Sequence, residues 1–394
     1  MTNVVILSGV RTAIGDFGGA LKDVSPASLG SLVISEAIRR ANIAPETIEH
    51  VVMGQVIPTR PQDAYLSRVA ALQAGIPVEA PALTLNRLCG SGVQAIISAS
   101  QLIAMGDASF AVAGGAENMS QAPHHATTTR FGHRLGPIEL LDALTGTLSD
   151  PRDGYHMGIT AENVAARNGV SRLEQDTLAY GSHQRAARAI LEGRFDEQIV
   201  PVEIKTRRGV QLFATDEHVR GATTPDELAG LRPAFKSDGT VTAGNASGIN
   251  DGAAALVLAS EDAAIAAELT PRARIVGWGF GGVEPSLMGL GPVVAVPVAL
   301  AKTGLSLADI DVIESNEAFA AQACAVATEL GFDPTKTNIN GSGISLGHPV
   351  GATGAMLTVK AMYELERTKG RYALITMCIG GGQGIALIIE RTER

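Results

Sequence analysis

Two cysteines, one histidine and one asparagine stand in glycine-rich surroundings that suit covalent and proton-transfer chemistry. Cys89 lies in Asn86-Arg-Leu-Cys89-Gly-Ser-Gly-Val, at the head of a small-residue, apolar run to Met105. That run reads as a buried helix, Cys89–Met105. A thiol at a helix start meets unpaired N–H groups and the positive end of the dipole, which favour the thiolate. Gly90 and Gly92 leave room for a substrate; the other reading is a small buried hydrophobe. His348 follows Gly347 in Asn340–Gly354, a stretch with five glycines that presents one imidazole. Histidine is the natural base for a thiol, and a structural loop histidine is the alternative. Cys378 opens Cys378-Ile-Gly380-Gly-Gly after the strand Tyr372–Thr376. Glycines after a strand expose N–H donors, as an oxyanion hole or anion nest needs. A phosphate loop lacks support, because no Lys-Ser/Thr and no helix follow. Asn316, in Glu314-Ser-Asn316-Glu-Ala-Phe319, reads as chemistry or as a turn residue capping the next helix. Cys324 sits among alanines in the helix 318–330 and reads as core.

The elements that must position these residues alternate. Val4–Leu7, Ile48–Met53 and Phe110–Ala113 read as buried strands, and Ala27–Ala41 carries helical spacing. Strands alternating with helices predict an α/β sandwich with a largely parallel sheet. Ile43–Val51 matches Leu305–Ile313 at an offset of 262, and Gly106–Phe110 resembles Gly370–Leu374 at 264. Two matches at nearly one offset predict a duplicated half; generic αβ patterning is the competing explanation. The expected division is 1–118 with 250–272 as the N-terminal half, 119–249 as a loop domain, and 273–394 as the C-terminal half. The middle portion holds the charged helix Ser171–Glu192 and the basic run Lys205-Thr-Arg207-Arg208.

Composition excludes several classes. With 45% apolar and 18% charged residues the chain is globular, not disordered. A net charge of −9 without a basic tail argues against nucleic acid and anionic membrane. Three cysteines with no C-x-x-C spacing form no disulfide framework, so a reducing compartment is expected. The start lacks a signal-peptide pattern, no apolar run of ~18 residues occurs, and the end carries no address signal. A cytoplasmic chain is the expectation. The eight histidines show no metal-ligand spacing, and no G-x-G-x-x-G follows a strand, so neither metal nor NAD is expected.

Taken together, Asn86-Arg-Leu-Cys89-Gly-Ser-Gly, Asn316-Glu-Ala-Phe319, Gly347-His348-Pro349 and Cys378-Ile-Gly380-Gly resemble the thiolase family, in family order. The resemblance runs from Val4 to Glu390, towards bacterial acetyl-CoA acetyltransferases and β-ketothiolases. It implies a five-layered αβαβα core of two duplicated halves plus a loop domain. It implies Cys89 as acyl-accepting nucleophile, His348 as its base, and Cys378 as acid/base for the α-proton of a second substrate. Asn316 would hold a water that binds the thioester oxygen with His348, and the Cys89 and Gly380 N–H groups would form a second oxyanion hole. Coenzyme A thioesters are the implied substrates, with no cofactor. Their implied contacts are His156 and Met157, Arg220 near the adenosine, Phe235, and Ala243 to Ser247 along the pantetheine. Met288, Ala318 and Phe319 complete the set. Glu227 stands where the family carries a serine near the adenine. Met288-Gly-Leu-Gly resembles short-chain thiolases, and Gly351-Ala-Thr-Gly-Ala-Met356 the broader ones of fatty-acid β-oxidation. His124–Leu144, with Arg130, His133 and Arg134, resembles a tetramerisation loop, which implies a homotetramer. Competing readings are a 3-ketoacyl synthase, which uses one cysteine with two histidines, and a non-catalytic acyl-CoA-binding protein, which need not keep both cysteines.

Overall fold

The computed structural model describes residues 2–207 and 209–392. Arg208 of the basic run, Met1 and the last two residues, with the outermost ends of the two expected halves, lie outside the described residues.

The N-terminal strands are β1 (Val4–Thr12), β2 (His50–Gly54), β3 (Ala82–Leu85), β4 (Phe110–Asn118) and β5 (Asn250–Ser260). The C-terminal strands are β6 (Ala273–Gly282), β7 (Val312–Ser315), β8 (Tyr372–Ile379) and β9 (Gln383–Arg391). They form one sheet in the order β7-β8-β9-β6-β1-β5-β4-β2-β3. The halves join where Val5 and Ile6 pair with Arg274 and Ala273. Each half repeats one order, β1-β5-β4-β2 and β6-β9-β8-β7.

Register fixes the duplication. His50 pairs with Ala111 in the first half, and Val312 with Ala373 in the second. Both steps are 262 (312 − 50, 373 − 111). Phe110 therefore corresponds to Tyr372, and the offset of 264 read from the sequence was two residues out.

The sheet is mixed, not largely parallel. Of these nine strands only the outer ones pair with one another in parallel, β2 with β3 and β4, and β7 with β8; the short strand Ile199–Val200 adds a parallel pairing to β1. The junctions β1·β5, β5·β4, β6·β9 and β8·β9 are antiparallel. The cause is local in the second half. Gly380–Gly382 close a hairpin, with Gly381 and Gly382 at φ 78° and 87°, where a side chain is disfavoured. The glycine run read as a possible nest is thus also the turn that reverses β8 into β9.

The helices of eight residues or more are α1 (Pro26–Arg40), α2 (Leu66–Gln73), α3 (Ser91–Met105), α4 (Met157–Asn168), α5 (Arg172–Leu191), α6 (Gly291–Thr303), α7 (Ala320–Leu330) and α8 (Thr353–Thr368). Alternation along the strands sorts them into layers. Val5, Leu7, Val51 and Val257 face α1 and α2. Their neighbours Ile6, Val52, Leu256 and Leu258 face α3 and α8, which also meet Ile375, Ile385 and Leu387 of the second half. Leu374, Ala386 and Ile388 face α6 and α7. The result is an αβαβα stack with α3 and α8 in the middle. Leu88–Met105 and Pro285–Thr303 are long and apolar enough to cross a membrane by composition alone. In this fold they supply the central layer and one outer layer.

Between β4 and β5 the chain adds α4, α5 and the hairpin Val202–Thr206/Gly209–Phe213. Met157, Ala161 and Ala165 of α4 pack against Met288, Ala318 and Phe319 of the C-terminal half. Cys324 is only partly buried, on α7 with its thiol directed at the Glu174 carbonyl.

The central helices cross at two glycines. A Cβ on Gly92 would lie 2.5 Å from the Ala355 nitrogen, and one on Gly354 2.5 Å from the Val93 nitrogen. Gly92→Ala and Gly354→Ala should each destabilise the protein by about 1–3 kcal/mol, as overpacking does. Gly181→Ala on α5, whose nearest neighbour is 3.7 Å away, should be neutral or stabilising. Chemical denaturation of the three variants checks the contrast; equal midpoints would contradict the crossing.

Candidate active site

The two helix starts that meet at these glycines each carry a loop with a reactive side chain. Cys89 ends its loop two residues before α3 rather than inside the helix. Leu88, next to it, sits at φ 46°, a strained conformation for a leucine. It is held by its N–H to Asn86 Oδ1 (2.8 Å) and its carbonyl to Ser91 Oγ (2.7 Å). Cys89, His348, Cys378 and Gly380 line one cavity of about 450 Å³.

His348 is oriented from two sides. Its backbone N–H donates to Asn250 Oδ1 (2.9 Å), and Asn250 Nδ2 donates to the Gly15 carbonyl (3.1 Å). Its Nδ1 lies 2.7 Å from Thr353 Oγ1. The Thr353 hydroxyl proton is committed to the Pro349 carbonyl (2.9 Å), so Oγ1 accepts from Nδ1–H. This assignment from the hydrogen-bond network leaves the lone pair on Nε2. Burial lowers the imidazole from its usual value to about 4, so it is neutral at pH 7. Asn316 is fully buried and does not line the cavity; its Nδ2 stands 3.4 Å from Nε2. Its Oδ1 has no partner among the described residues, which leaves an acceptor for a water.

The thiols differ from the sequence expectation. The helix start was expected to favour a Cys89 thiolate, yet burial raises this thiol's pKa. The N–H groups of Gly380 and of Cys89 itself oppose the shift, and the Glu117 charge adds to it. Burial, then the neighbouring Cys89, raise Cys378 as well. Cys378 is fully buried within β8, not after it. The resting site is therefore two thiols and a neutral imidazole. A thiolate forms here only when a proton is taken by Nε2, with N–H donors already in position for developing negative charge.

All the other expected residues line the same cavity. His156 stacks on Phe235 (ring centroids 4.7 Å apart), and Phe235 meets Phe319 edge-on (6.1 Å). A Cβ on Gly158 would strike the Phe235 ring at 2.3 Å, so glycine there lets the wall close up. Met157, Met288, Ala243, Ser247 and Ala318 continue the wall, and exposed Arg220 stands at its mouth. Ser247 N–H donates to the Ala318 carbonyl (2.9 Å), fastening the middle segment to the Asn316 loop. A second cavity of about 490 Å³ shares His218, Arg220, Ala243 and Ala246 with the first and reaches Asp226 and Glu227. Glu227 is turned into its own helix cap, accepting the Thr224 N–H (2.9 Å).

Sequence reasoning missed Phe17, Met119, Leu148, Ile249 and Val350 of the lining, and the His218–Asp16 pair (2.6 Å). These come from six separate segments, and apart from Val350, which lies in the glycine-rich stretch around His348, they carry no local motif, so only the fold brings them together. Asn250 and Thr353 were also missed, although Thr353 lies five residues from His348 on the same helix start. Among the described residues no three His, Cys, Asp or Glu side chains are grouped to hold a metal ion.

Comparisons with known proteins agree in one direction. The thiolase N-terminal domain family matches residues 4–262, and the thiolase C-terminal domain family residues 269–391. The chain is 58% identical to beta-ketothiolase BktB of Cupriavidus necator, over 98% of this chain and 99% of that one. It is 47% identical to an acetyl-CoA acetyltransferase of the same organism, over 99% and 100%. A crystal structure of human mitochondrial 3-ketoacyl-CoA thiolase in complex with CoA superposes with a TM-score of 0.97, at 46% identity, over 100% and 98% of the chains.

The lowered His348 pKa has a stability consequence. The unfolded state takes up a proton near pH 6.5 and the folded state only near 4. Stability is therefore complete above 6.5 and falls as pH drops towards 4, by up to about 3 kcal/mol for a shift of this size. His348→Asn should lose less stability than wild type between pH 7.5 and 4.5. Burial also lowers His183 to about 4, which acts alike in both proteins and cancels in the difference. Parallel denaturation curves would contradict the buried, neutral imidazole.

Proposed function

The chain belongs to the thiolase family, and from that premise we propose how its own residues divide the work. The enzyme is an acyl-CoA C-acyltransferase: it condenses two acyl-CoA molecules to a 3-ketoacyl-CoA, or cleaves a 3-ketoacyl-CoA with coenzyme A. His348 Nε2 takes the Cys89 proton, and the sulfur attacks the thioester carbonyl. The acyl group passes to Cys89, and coenzyme A leaves as the thiol with that proton. Cys378 then gives its own proton to the freed His348 imidazole, and its thiolate removes the α-proton of a second acetyl-CoA. The resulting enolate carbon attacks acyl-Cys89, whose sulfur leaves and takes its proton back from His348. Cleavage runs the same bonds backwards.

The observation that carries this reading is the Thr353–Pro349 contact, which commits Nδ1–H and leaves the lone pair on Nε2, 3.4 Å from Asn316 Nδ2, as the base in the cavity of both thiols. The raised Cys378 pKa supports its role, because a thiolate that binds its proton tightly is a better base for a weak carbon acid. Gly380 and Cys89 N–H groups serve the second oxyanion, and Asn316 with His348 serves the first through a water. None of these steps calls for a metal or organic cofactor. The pantetheine arm runs along His156, Met157, Phe235, Ala243, Ser247, Met288, Ala318 and Phe319, with Arg220 towards the adenosine end. Acetyl-CoA is the favoured substrate. Met119, Leu148, Ile249 and Val350 add apolar surface in the same cavity, which supports a second reading with longer 3-ketoacyl chains. Free thiols at Cys89, Cys324 and Cys378 support a cytoplasmic setting.

A homotetramer is proposed as well, as a dimer of dimers. Phe131 and Leu135, in the segment 124–144, are 99% and 92% exposed in the single chain, and Leu140 is 58% exposed. Apolar side chains this exposed within one loop favour a partner surface. Light scattering at micromolar concentration should return the mass of four chains, and a monomer mass would refute this.

The separation of roles is tested on one Cys378→Ala preparation. Cys89 should still take acetyl from acetyl-CoA, since its base is intact. Deuterium exchange at the acetyl-CoA α-carbon and condensation should fall by about 10²–10⁴-fold, the usual loss of a positioned base. Exchange near the wild-type rate with collapsed acetylation would mean the roles are reversed.

A further inference from the structure

Glu117 carries a fully buried carboxyl group, at the end of β4, that does not line the active-site cavity. Its Oε2 accepts the N–H groups of Val56 (2.9 Å) and Gly351 (2.9 Å), and its Oε1 that of Ile57 (3.1 Å). Gly351 is the third residue after His348. Its peptide lies flat on β4: a Cβ on Gly351 would stand 2.5 Å from Glu117 Oε2, and one on Gly115 2.2 Å from the Gly351 carbonyl. Val56 and Ile57 in turn pack with Val350, Met119, Leu88 and Cys89.

The duplication shows what this contact replaces. At the offset of 262, Gly351 corresponds to Cys89, and Glu117 to Ile379, between Cys378 and Gly380. In one half the strand end offers the Gly380 N–H to the Cys89 thiol. In the other half the strand end offers a carboxylate to the Gly351 N–H. One crossing of strand end and helix lead-in does the chemistry, and its twin is an anchor.

We propose that Glu117 is the positioning residue of the base: by holding the Gly351, Val56 and Ile57 N–H groups at once, it sets His348 in the cavity it shares with Cys89. The contact ties three segments, β4, the turn after β2 and the loop before α8, to a single pair of oxygens. No apolar side chain could satisfy those three buried donors, and an unpaired one is costly. Burial raises the carboxyl to about 8 despite the three donors, with the Asp63 charge adding to the rise, and a Glu117 charge would in turn raise Cys89. A carboxyl group buried this fully, which touches no substrate and accepts three main-chain N–H groups, needs a reason, and fixing the base is one.

The proposal rests on His348 acting as the base, and the test keeps the two claims apart. His348→Ala, assayed alongside, reports the base: if it stays active, that reading has failed whatever Glu117 does. In Glu117→Gln one oxygen becomes an NH2 group that faces an N–H donor. In the folded variant kcat should fall by about 10²-fold, as a misplaced catalytic group costs. KM for acetyl-CoA should stay within about twofold, because ground-state binding is untouched. Hydrogen exchange should rise in peptides covering Val56–Ile57 and His348–Thr353 but not in α1 or α6, a pattern that a general loss of stability would not give. Gly351→Ala, which pushes the carboxylate away from the other side, should show the same split. Unchanged kcat with unchanged local exchange in either folded variant would overturn the proposal. If neither variant folds, wild-type exchange decides it: the Val56, Ile57 and Gly351 amides should be as protected as those of β4, and rapid exchange there would overturn it.

Discussion

The close crossing of two helix starts, backbone against backbone at Gly92 and Gly354, is the constraint on which the rest of the molecule depends. Any side chain at either position would meet a main-chain nitrogen at 2.5 Å. With both absent, α3 and α8 share the middle layer, and the loops that precede them open onto one cavity. Duplication by itself would make those loops alike. They correspond residue for residue at an offset of 262, Asn86-Arg-Leu-Cys89 with His348-Pro-Val-Gly351, yet they carry their chemistry at opposite ends. The proposed nucleophile is the last residue of one and the proposed base is the first of the other. A pair of symmetric segments thereby yields two different groups facing one substrate.

Burial then sets the resting state. The same physical effect raises both thiols and lowers the imidazole, because each charged form would lose its hydration. The site waits without net charge on these three groups, while N–H donors at Gly380 and Cys89 are already fixed by the hairpin and by the strained Leu88 turn. Charge that develops during reaction meets donors that need no rearrangement, which is where such sites gain most of their effect. The aromatic wall of His156, Phe235 and Phe319 is a rigid surface, which suits the long, flexible substrate arm proposed to lie on it.

Much of this was legible in the sequence because its signals are local. Cys89, His348, Cys378 and Asn316 sit in short glycine-bearing motifs, and three of the four line one cavity. Asn316 stands behind it, against His348. The duplication was visible in Ile43–Val51 and Leu305–Ile313, since both copies carry a 3₁₀ turn leading into a strand. What could not be read depends on distant contacts. Strand direction was misjudged, since periodicity reports burial and not orientation, and the Gly381–Gly382 turn that reverses the chain looked like a ligand loop. The thiolate expectation failed for a related reason. A helix start is visible in sequence, but the low-dielectric surroundings that outweigh it belong to the packed layers. Asn250, Thr353 and Glu117 went unnoticed because asparagine, threonine and glutamate are common, and only the fold shows which backbone groups they hold.

The central claim is that the acyl group rides on Cys89. Incubating the wild-type enzyme with acetyl-CoA alone, quenching in acid and mapping peptides by mass spectrometry tests it most directly. The account predicts one added acetyl group, on the peptide containing Cys89, with Cys324 and Cys378 unmodified. Acetyl held stably on Cys378 or Cys324, with Cys89 untouched, would contradict it.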